Sequence, residues 1–425
     1  MNSSGWKLPF FTVWTGQAFS LVGSALVRFA LIWWLTERTG SATVLATASL
    51  VSTLPVIVLG PFAGALVDRW NRRWVMVISD ALIALFTAFL AYLYWLEIAR
   101  VWHVYAILFL RSLGNGFQGP AMRASTSLMA PKDQLARVGG MNETVQGVVN
   151  VVSPPLGALL LEILSMQGTL SIDIVTAVIA IVPLFIVHVP QPEAQDDVEE
   201  PSSVVHDVVE GFHYVWGWRG LFFLLLVLAS MRFFLAPSMT LLPLLVTQHF
   251  GGQALELGWI NSAHGFGFVA GGVILSLWGG FKRRTVTALL GLIGVGLGLL
   301  GLSLVPATAF GLAVVVMFFR TMMIPFIRGS VLAIFQSYVP PEIQGRVFTL
   351  IVSAVSIMAP LGLAIGGPLA DAFGVRLLFA LGGSGCLLIA LAWAFNPTIM
   401  HLEDRPRRRA SEGQRPTVDS PAAGN

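Results

Sequence analysis

The feature that most limits what this chain can become is a series of long stretches that no charged side chain interrupts. From Thr285 to Phe319 there is no Asp, Glu, Lys or Arg, and about 20 such residues are enough for a helix to cross a bilayer. In hydrocarbon the backbone has no water to bond, so a crossing segment of this length must satisfy its own N–H and C=O groups as a helix. Breaks at charges, Gly and Pro predict helices near 8–36, 42–67, 74–97, 102–130, 138–163 and 169–188. A second set is predicted near 220–248, 256–280, 285–304, 308–338, 346–371 and 375–396. The expected fold class is an all-α membrane protein of about twelve transmembrane helices. Only 11% of the 425 residues are charged, against about a quarter in soluble domains, so a water-facing surface cannot be assembled. The 43 glycines suit helices that pack closely through small residues. Leu8 onward reads as a retained first span, since no small-residue cleavage site follows it.

Basic residues predict orientation. With a cytoplasmic N-terminus, 16 of the 25 lysines and arginines fall in cytoplasmic segments and three, Arg38, Arg100 and Arg376, in outer ones. That bias places both termini in the cytoplasm. Between the two sets of helices lies an acidic stretch with Glu193, Asp196, Asp197, Glu199 and Glu200. After it Val204, Val205, Val208, Val209, Phe212 and Val215 recur at helical spacing, the pattern of an amphipathic helix on the membrane surface. The expected organisation is a six-helix half at 1–190, a cytoplasmic linker at 191–219, a second six-helix half at 220–398 and a disordered cytoplasmic tail at 399–425. The tail's Arg405 and Arg407 to Arg409 suit an anionic inner leaflet.

The halves repeat at an offset of about 210 residues. Arg72-Arg73 recurs as Arg283-Arg284, Phe109-Leu110-Arg111-Ser112 as Phe318-Phe319-Arg320-Thr321, and Pro131 to Val138 as Pro340 to Val347. Three matches in order indicate a duplicated unit. An even number of spans per copy makes the two parallel repeats, related by an axis along the membrane normal.

The loop after the second span reads Gly64-Ala65-Leu66-Val67-Asp68-Arg69-Trp70-Asn71-Arg72-Arg73. It resembles the Gly-x-x-x-Asp-Arg-x-Gly-Arg-Arg motif of the major facilitator superfamily, with Asn71 where glycine is usual. Arg111 to Gly116 is similar to that family's fourth-span Arg-x-x-x-Gly element, and Ser153-Pro154-Pro155-Leu156-Gly157 looks like a degenerate antiporter Gly-Pro motif. Together with Trp14 to Ala18, Leu35 to Ser41 and Gly345 to Phe348, the chain resembles the macrolide-efflux branch of the drug–proton antiporters. The resemblance implies a monomeric transporter of the bacterial cytoplasmic (inner) membrane. It implies export of amphiphilic small molecules against proton entry. It also implies a cytoplasmic gate at Gly64, Asp68, Arg69, Arg72 and Arg73, with Asp68 facing the N-terminal pole of the eleventh helix near Gly345, where a carboxylate is favoured. Positive-inside anchoring alone would also account for the three arginines.

Ionisable groups inside a span are functional candidates because burying them is costly. Arg111 and Arg320 stand at equivalent positions of spans four and ten. Gln17, Ser20, Ser24 and Arg28 form one polar stripe on span one, which should face the bundle interior or water. Proton coupling requires a carboxyl able to titrate, and burial favours its protonated form. The candidates are Glu143, which shares a polar face with Asn142, Gln146 and Asn150, then Asp80, with Arg111 as the neighbouring cation. Pairing of Glu143 with Arg137 or Arg111 to hold helices together is the structural alternative, and Asp173 reads as a structural ion-pair partner nearer the outer face. Arg123 and Arg328 would reach toward the cytoplasmic interface. Candidate substrate-cavity residues are Gln17, Ser24, Arg28, Asn115, Phe117, Asn150 and Arg320.

No lysine stands in Gly-Lys-Ser/Thr context, so no nucleotide is expected, and no nucleic-acid partner either. One cysteine and no His-Glu-x-x-His pairing give no metal or cofactor expectation. With no Ser/His/Asp set, an enzyme is not expected. Export of an endogenous product such as a siderophore is the alternative cargo. A non-transporting scaffold or sensor is the alternative class, and the in-span arginines argue against it.

Overall fold

The protein is described by a computed structural model over residues 5–187, 189–191, 213–400 and 403, with the side chains of residues 61, 65, 68, 132, 136, 341 and 342 excepted. Residues 204–212 of the expected surface helix and all of the tail except residues 399, 400 and 403 therefore lie outside the described residues.

Twelve long helices account for nearly all of the described chain. In the first half they are α1 (Lys7–Thr39), α2 (Ala42–Arg69), α3 (Arg72–Trp95), α4 (Val101–Met129), α5 (Leu135–Ile163) and α6 (Met166–Ile186). In the second they are α7 (Arg219–Thr240), α8 (Ala254–Trp278), α9 (Arg284–Leu304), α10 (Phe310–Tyr338), α11 (Pro341–Phe373) and α12 (Val375–Phe395). Among the described residues eleven helices are long and apolar enough to cross a membrane. The twelfth, α4, is equally long but carries Arg111, Asn115, Gln118 and Arg123, and it packs between α2 and α3.

The predicted bounds hold to within a few residues at most ends, because the signals that set them act locally. Ser41, Asn71 and Ser165 accept bonds from the first-turn amides of α2, α3 and α6. Gly40 (φ 58°) ends α1 in the left-handed conformation that other residues avoid. Two predicted single spans are interrupted. α7 stops at Thr240 and continues as a turn at Leu242–Leu244 and a π-turn at Leu245–His249, because Pro243 has no N–H for the carbonyl of Met239. α10 breaks at Met323, two residues before Pro325, which withholds the same bond from Thr321.

The duplication is visible in which helices touch. α1 packs on α5 and α6, α2 on α4, and α3 on α4 and α6; their counterparts α7, α8 and α9 pack on α11, α12 and α10 in the same pattern. Arg72 donates to the Ala124 carbonyl of α4 at 3.1 Å, and Arg284 donates to the Ala333 carbonyl of α10 at 2.7 Å. The halves meet along two antiparallel seams, α2 with α11 and α5 with α8. Small residues permit the close packing. A Cβ on Gly271 of α8 would overlap the Met322 carbonyl, and one on Gly383 of α12 would stand 2.8 Å from the Gly296 carbonyl of α9.

The membrane face that carries both ends of the helical core, Lys7 and Phe395, is called the terminal face below, and the opposite one the far face. Cross-half contacts gather toward the far face. Asp371, near the end of α11, accepts from Ser41 Oγ (2.9 Å), Ala42 N (2.6 Å) and Thr43 N (2.9 Å) at the start of α2. Gln248 donates to the Gly40 carbonyl at 2.8 Å. On the other seam, Pro155 of α5 lacks the N–H that would bond the Val151 carbonyl, and Ser262 Oγ of α8 donates to it instead at 3.2 Å. At the terminal ends of the same helices Gly64, Gly139, Gly140 and Gly345 face open space. The halves are closed together at the far side and stand apart at these glycines on the terminal side.

Candidate functional site

The first half contains a buried polar column built by four helices. α4 supplies Arg111 (5% exposed) and α6 supplies Asp173 (1% exposed), joined Nη1 to Oδ2 at 2.5 Å. Ser24 of α1 donates to the second carboxylate oxygen at 3.0 Å and accepts from Arg111 Nη2 at 3.2 Å. Thr87 of α3 donates to Asp173 Oδ2 at 3.0 Å and lies in contact with Arg111 Nη1. Gly23 of α1 makes room: a Cβ there would press on the Asp173 backbone at 3.2 Å. Both charges are thus paired and bonded, as buried ions must be.

Seven residues nearer the terminal face on the same three helices lies a second layer. Asp80 of α3 (3% exposed) accepts from Gln17 Nε2 of α1 at 2.8 Å, and Gln118 of α4 donates to Gln17 Oε1 at 2.5 Å. The pairs Gln17/Ser24, Asp80/Thr87 and Arg111/Gln118 each span seven residues, which puts the layers about 10 Å apart along the helices. Ile83 fills the gap, and Gly114 admits it, since a Cβ there would lie 2.8 Å from Ile83 Cγ1. Ser20 (8% exposed) is the polar group of α1 between the layers. Asp80 has no cation within ion-pair distance among the described residues. Its partner is an amide, which can bond a carboxylate or, turned over, a carboxylic acid.

Several placements differ from those expected. Arg111 is paired with Asp173, not with Glu143, because Asp173 faces it across α4 and α6 deep in the first half. Glu143 and Asn150 are exposed, while their neighbour Asn142 accepts from Trp14 Nε1 at 2.7 Å. Gln17 and Ser24 belong to the column rather than to an open cavity wall. Asn115 and Arg28 are accessible, with Arg28 near Arg111. Phe117 stacks on Trp70, with centroids 6.1 Å apart. Of the gate residues, Gly64 faces open space and Arg69 is exposed. Arg72 and Arg73 are tied within their own half, to Ala124 and to the Phe185 carbonyl (3.1 Å), because α4 and α6 end beside them. The side chain of Asp68 lies outside the described residues.

Arg320 has a different environment from its counterpart. It is 1% exposed, its Nη1 meets the sulfurs of Met239 (3.2 Å) and Met317 (3.4 Å), and its Nε and Nη2 have no hydrogen-bond partner. The residue equivalent to Asp173 is Gly382, at the 209-residue offset that separates the two arginines. The position facing the arginine from the third helix of the half, Thr87 in α3, is Gly298 in α9, where a Cβ would collide with Arg320. The second half holds the cation with glycines where Asp173 and Thr87 stand in the first. Nearby, His264 Nδ1 is 3.3 Å from Thr321 Oγ1, which itself donates to Met317 O at 2.7 Å, so the imidazole is bound into the bundle. Cys386 is fully buried.

Sequence reasoning missed Asp371. Its signal was present: Gly367-x-x-x-Asp371 at the end of α11 repeats the Gly64-x-x-x-Asp68 spacing at the end of α2. The two helices run antiparallel, so each aspartate stands at the membrane face where the other helix begins.

The family model of the Major Facilitator Superfamily matches residues 13–240 and 221–423. Macrolide efflux protein A of Streptococcus pyogenes is 35% identical over 390 residues, covering 91% of this chain and 96% of that protein. Multidrug efflux pump Tap of Mycolicibacterium fortuitum is 26% identical, covering 90% and 94%. Among solved structures, the nucleoside transporter NupG superposes with a TM-score of 0.67 at 13% identity, covering 91% of this chain and 98% of that one. A bacterial homolog of the human lysosomal transporter Spinster, inward-facing and unoccupied, superposes with a TM-score of 0.67 at 14% identity, covering 95% and 99%.

Proposed function

The chain belongs to the Major Facilitator Superfamily and is a multi-pass membrane transporter, and on that premise we propose that it exports amphiphilic small molecules such as macrolides in exchange for protons. The names of the relatives, macrolide and multidrug efflux proteins, support this cargo class. The excess of basic residues at the terminal face supports placing that face in the cytoplasm of a bacterial inner membrane. The far-closed arrangement is then the state that loads cargo from inside the cell.

The observation that carries the proposal is the two-layer column. A scaffold gains nothing from Asp173, Arg111 and Asp80 buried at this depth, whereas a coupled transporter needs a titratable group and a way to relay its state. In this reading Asp80 takes and releases the proton. The Arg111–Asp173 pair, one layer away on the same helices, exchanges bonds with Ser24 and Thr87 as α1 moves relative to α4. The halves rock about the axis between them, and the Asp371 contacts open as the terminal face closes, where Asp68 is proposed to meet the start of α11.

The test is efflux of a fluorescent macrolide from cells expressing the chain in a pump-deleted host, with and without a protonophore. Export that continues at the same rate after the proton gradient has collapsed excludes proton drive. Arg111→Ala is expected to abolish export while leaving membrane insertion intact.

A further inference from the structure

A small recess sits at the seam of the halves, where α2, α7 and α11 meet. Its volume is about 120 Å³, and it is lined by Ser49 and Thr53 of α2, Arg232 and Thr240 of α7, and an apolar wall that includes Pro360 of α11. The hydroxyls of Ser49, Thr53 and Thr240 and the guanidinium of Arg232 make no hydrogen bond or ion pair with any described residue. Ser49 and Thr53 are one helical turn apart, so both hydroxyls face the same space. Arg232 lies close enough to Arg328 of α10 for their charges to act on each other. Among the described residues Arg328 has no hydrogen-bond or ion-pair partner, and its guanidinium lies 5.8 Å from the ring of Phe268.

Both guanidinium groups are exposed, so neither is a buried unpaired charge; what the recess offers a ligand is one planar cation with three unused hydroxyls beside it. The recess holds about 120 Å³. That admits a carboxylate or a phosphate but not a whole macrolide. We propose that the recess binds the acidic group of a cargo molecule, with Arg232 as its cation, Ser49, Thr53 and Thr240 as its donors, and the rest of the cargo in the cleft between the halves. The inference rests on the export reading above and extends it from macrolides, which carry a basic amine and no acid, to amphiphiles that carry a carboxylate or phosphate. Because the lining comes from both halves, a bound acid bridges them at the seam that closes the far face.

The probes are three compounds that share a naphthalene ring and differ in one group: naphthoate, its neutral amide and naphthylmethylammonium. Binding is measured by equilibrium dialysis on the full chain in phosphatidylcholine nanodiscs. The carboxylate is expected to bind at least about tenfold more tightly than the other two, the equivalent of one charge-assisted hydrogen bond. Arg232→Gln is expected to reduce naphthoate to the level of the amide, and Arg232→Lys to retain a preference for the acid. Equal affinity for all three probes overturns the proposal. So does unchanged naphthoate binding in an Arg232→Gln protein that keeps its helical circular dichroism and elution volume. Absence of naphthoate binding together with saturable binding of phosphatidylglycerol assigns the recess to a lipid headgroup and also overturns it. Loss of charge preference with macrolide export intact sinks only this inference, whereas absence of any gradient-driven export sinks the reading beneath it.

Discussion

Asp371→Ala should open the far face. The carboxylate accepts three hydrogen bonds from the first turn of α2, at 2.9, 2.6 and 2.9 Å, and it stands at that helix's positive pole. Asp371 is exposed, so each bond is set below the ~1.5–3 kcal/mol of charged hydrogen bonds, at about 0.5 kcal/mol. The pole adds roughly 0.5 kcal/mol. The sum, about 2 kcal/mol, shifts the ratio of far-closed to far-open molecules by about thirtyfold. Asp371→Asn keeps one acceptor oxygen and loses the charge, so about half of that, roughly a fivefold shift, is expected. The assay is the distribution of distances between spin labels at Ile98→Cys, in the turn after α3, and Leu255→Cys, at the start of α8. Both positions are exposed, and the single native cysteine is fully buried, so labelling is confined to the introduced sites. A distribution in Asp371→Ala that matches the unsubstituted protein, in a sample with normal helical content, refutes the latch. An equal shift for Asp371→Asn and Asp371→Ala refutes the share assigned to the remaining oxygen.

Other perturbations follow from the same geometry. Thr87→Val removes a donor to Asp173 while preserving shape, and it should slow proton-driven export of a fluorescent macrolide at least about tenfold with the protein still folded; wild-type rates would exclude Thr87 from the column. Arg320→Met replaces an unsatisfied buried cation with a side chain like its neighbours Met239 and Met317, and thermal unfolding in detergent should show an unchanged or higher midpoint, in line with the roughly 1–4 kcal/mol seen when buried ions are replaced by apolar groups. A drop in that midpoint would mean that Arg320 has a counterion. Gly271→Leu should prevent α8 from approaching the Met322 carbonyl and lower the midpoint sharply, since overpacking costs about 1–3 kcal/mol.

Most of the fold was legible because membrane spans are written locally. Apolar length and a serine or asparagine cap set helices such as α2, α3 and α6, and Gly40 ends α1, without reference to anything distant. The departures came at Pro243 and Pro325, where a missing N–H breaks a helix whose apolar pattern continues undisturbed. The site was less legible because pairing depends on facing. Arg111 and Glu143 both stood out as in-span charges, yet nothing in their spacing states that α6 brings Asp173 to α4 while α5 leaves Glu143 exposed. The Gln17–Asp80–Gln118 layer was hidden for the same reason, since its members stood in different expected groups or in none. The seven-residue repeat relating both layers becomes visible only when three helices are compared side by side.

The bond from Ser262 to the Val151 carbonyl sits on the α5–α8 seam, near the middle of α5, while the Asp371 contacts lie at the far rim of the α2–α11 seam. In a rocking body, displacement grows with distance from the fulcrum. In the rocking proposed above, the Ser262 bond would act as a bearing that survives the whole stroke, and the Asp371 contacts as a catch at the end of the lever arm, which even a small rotation pulls apart. Pro155, by withholding its N–H, leaves that bearing's acceptor free for the opposite half to engage.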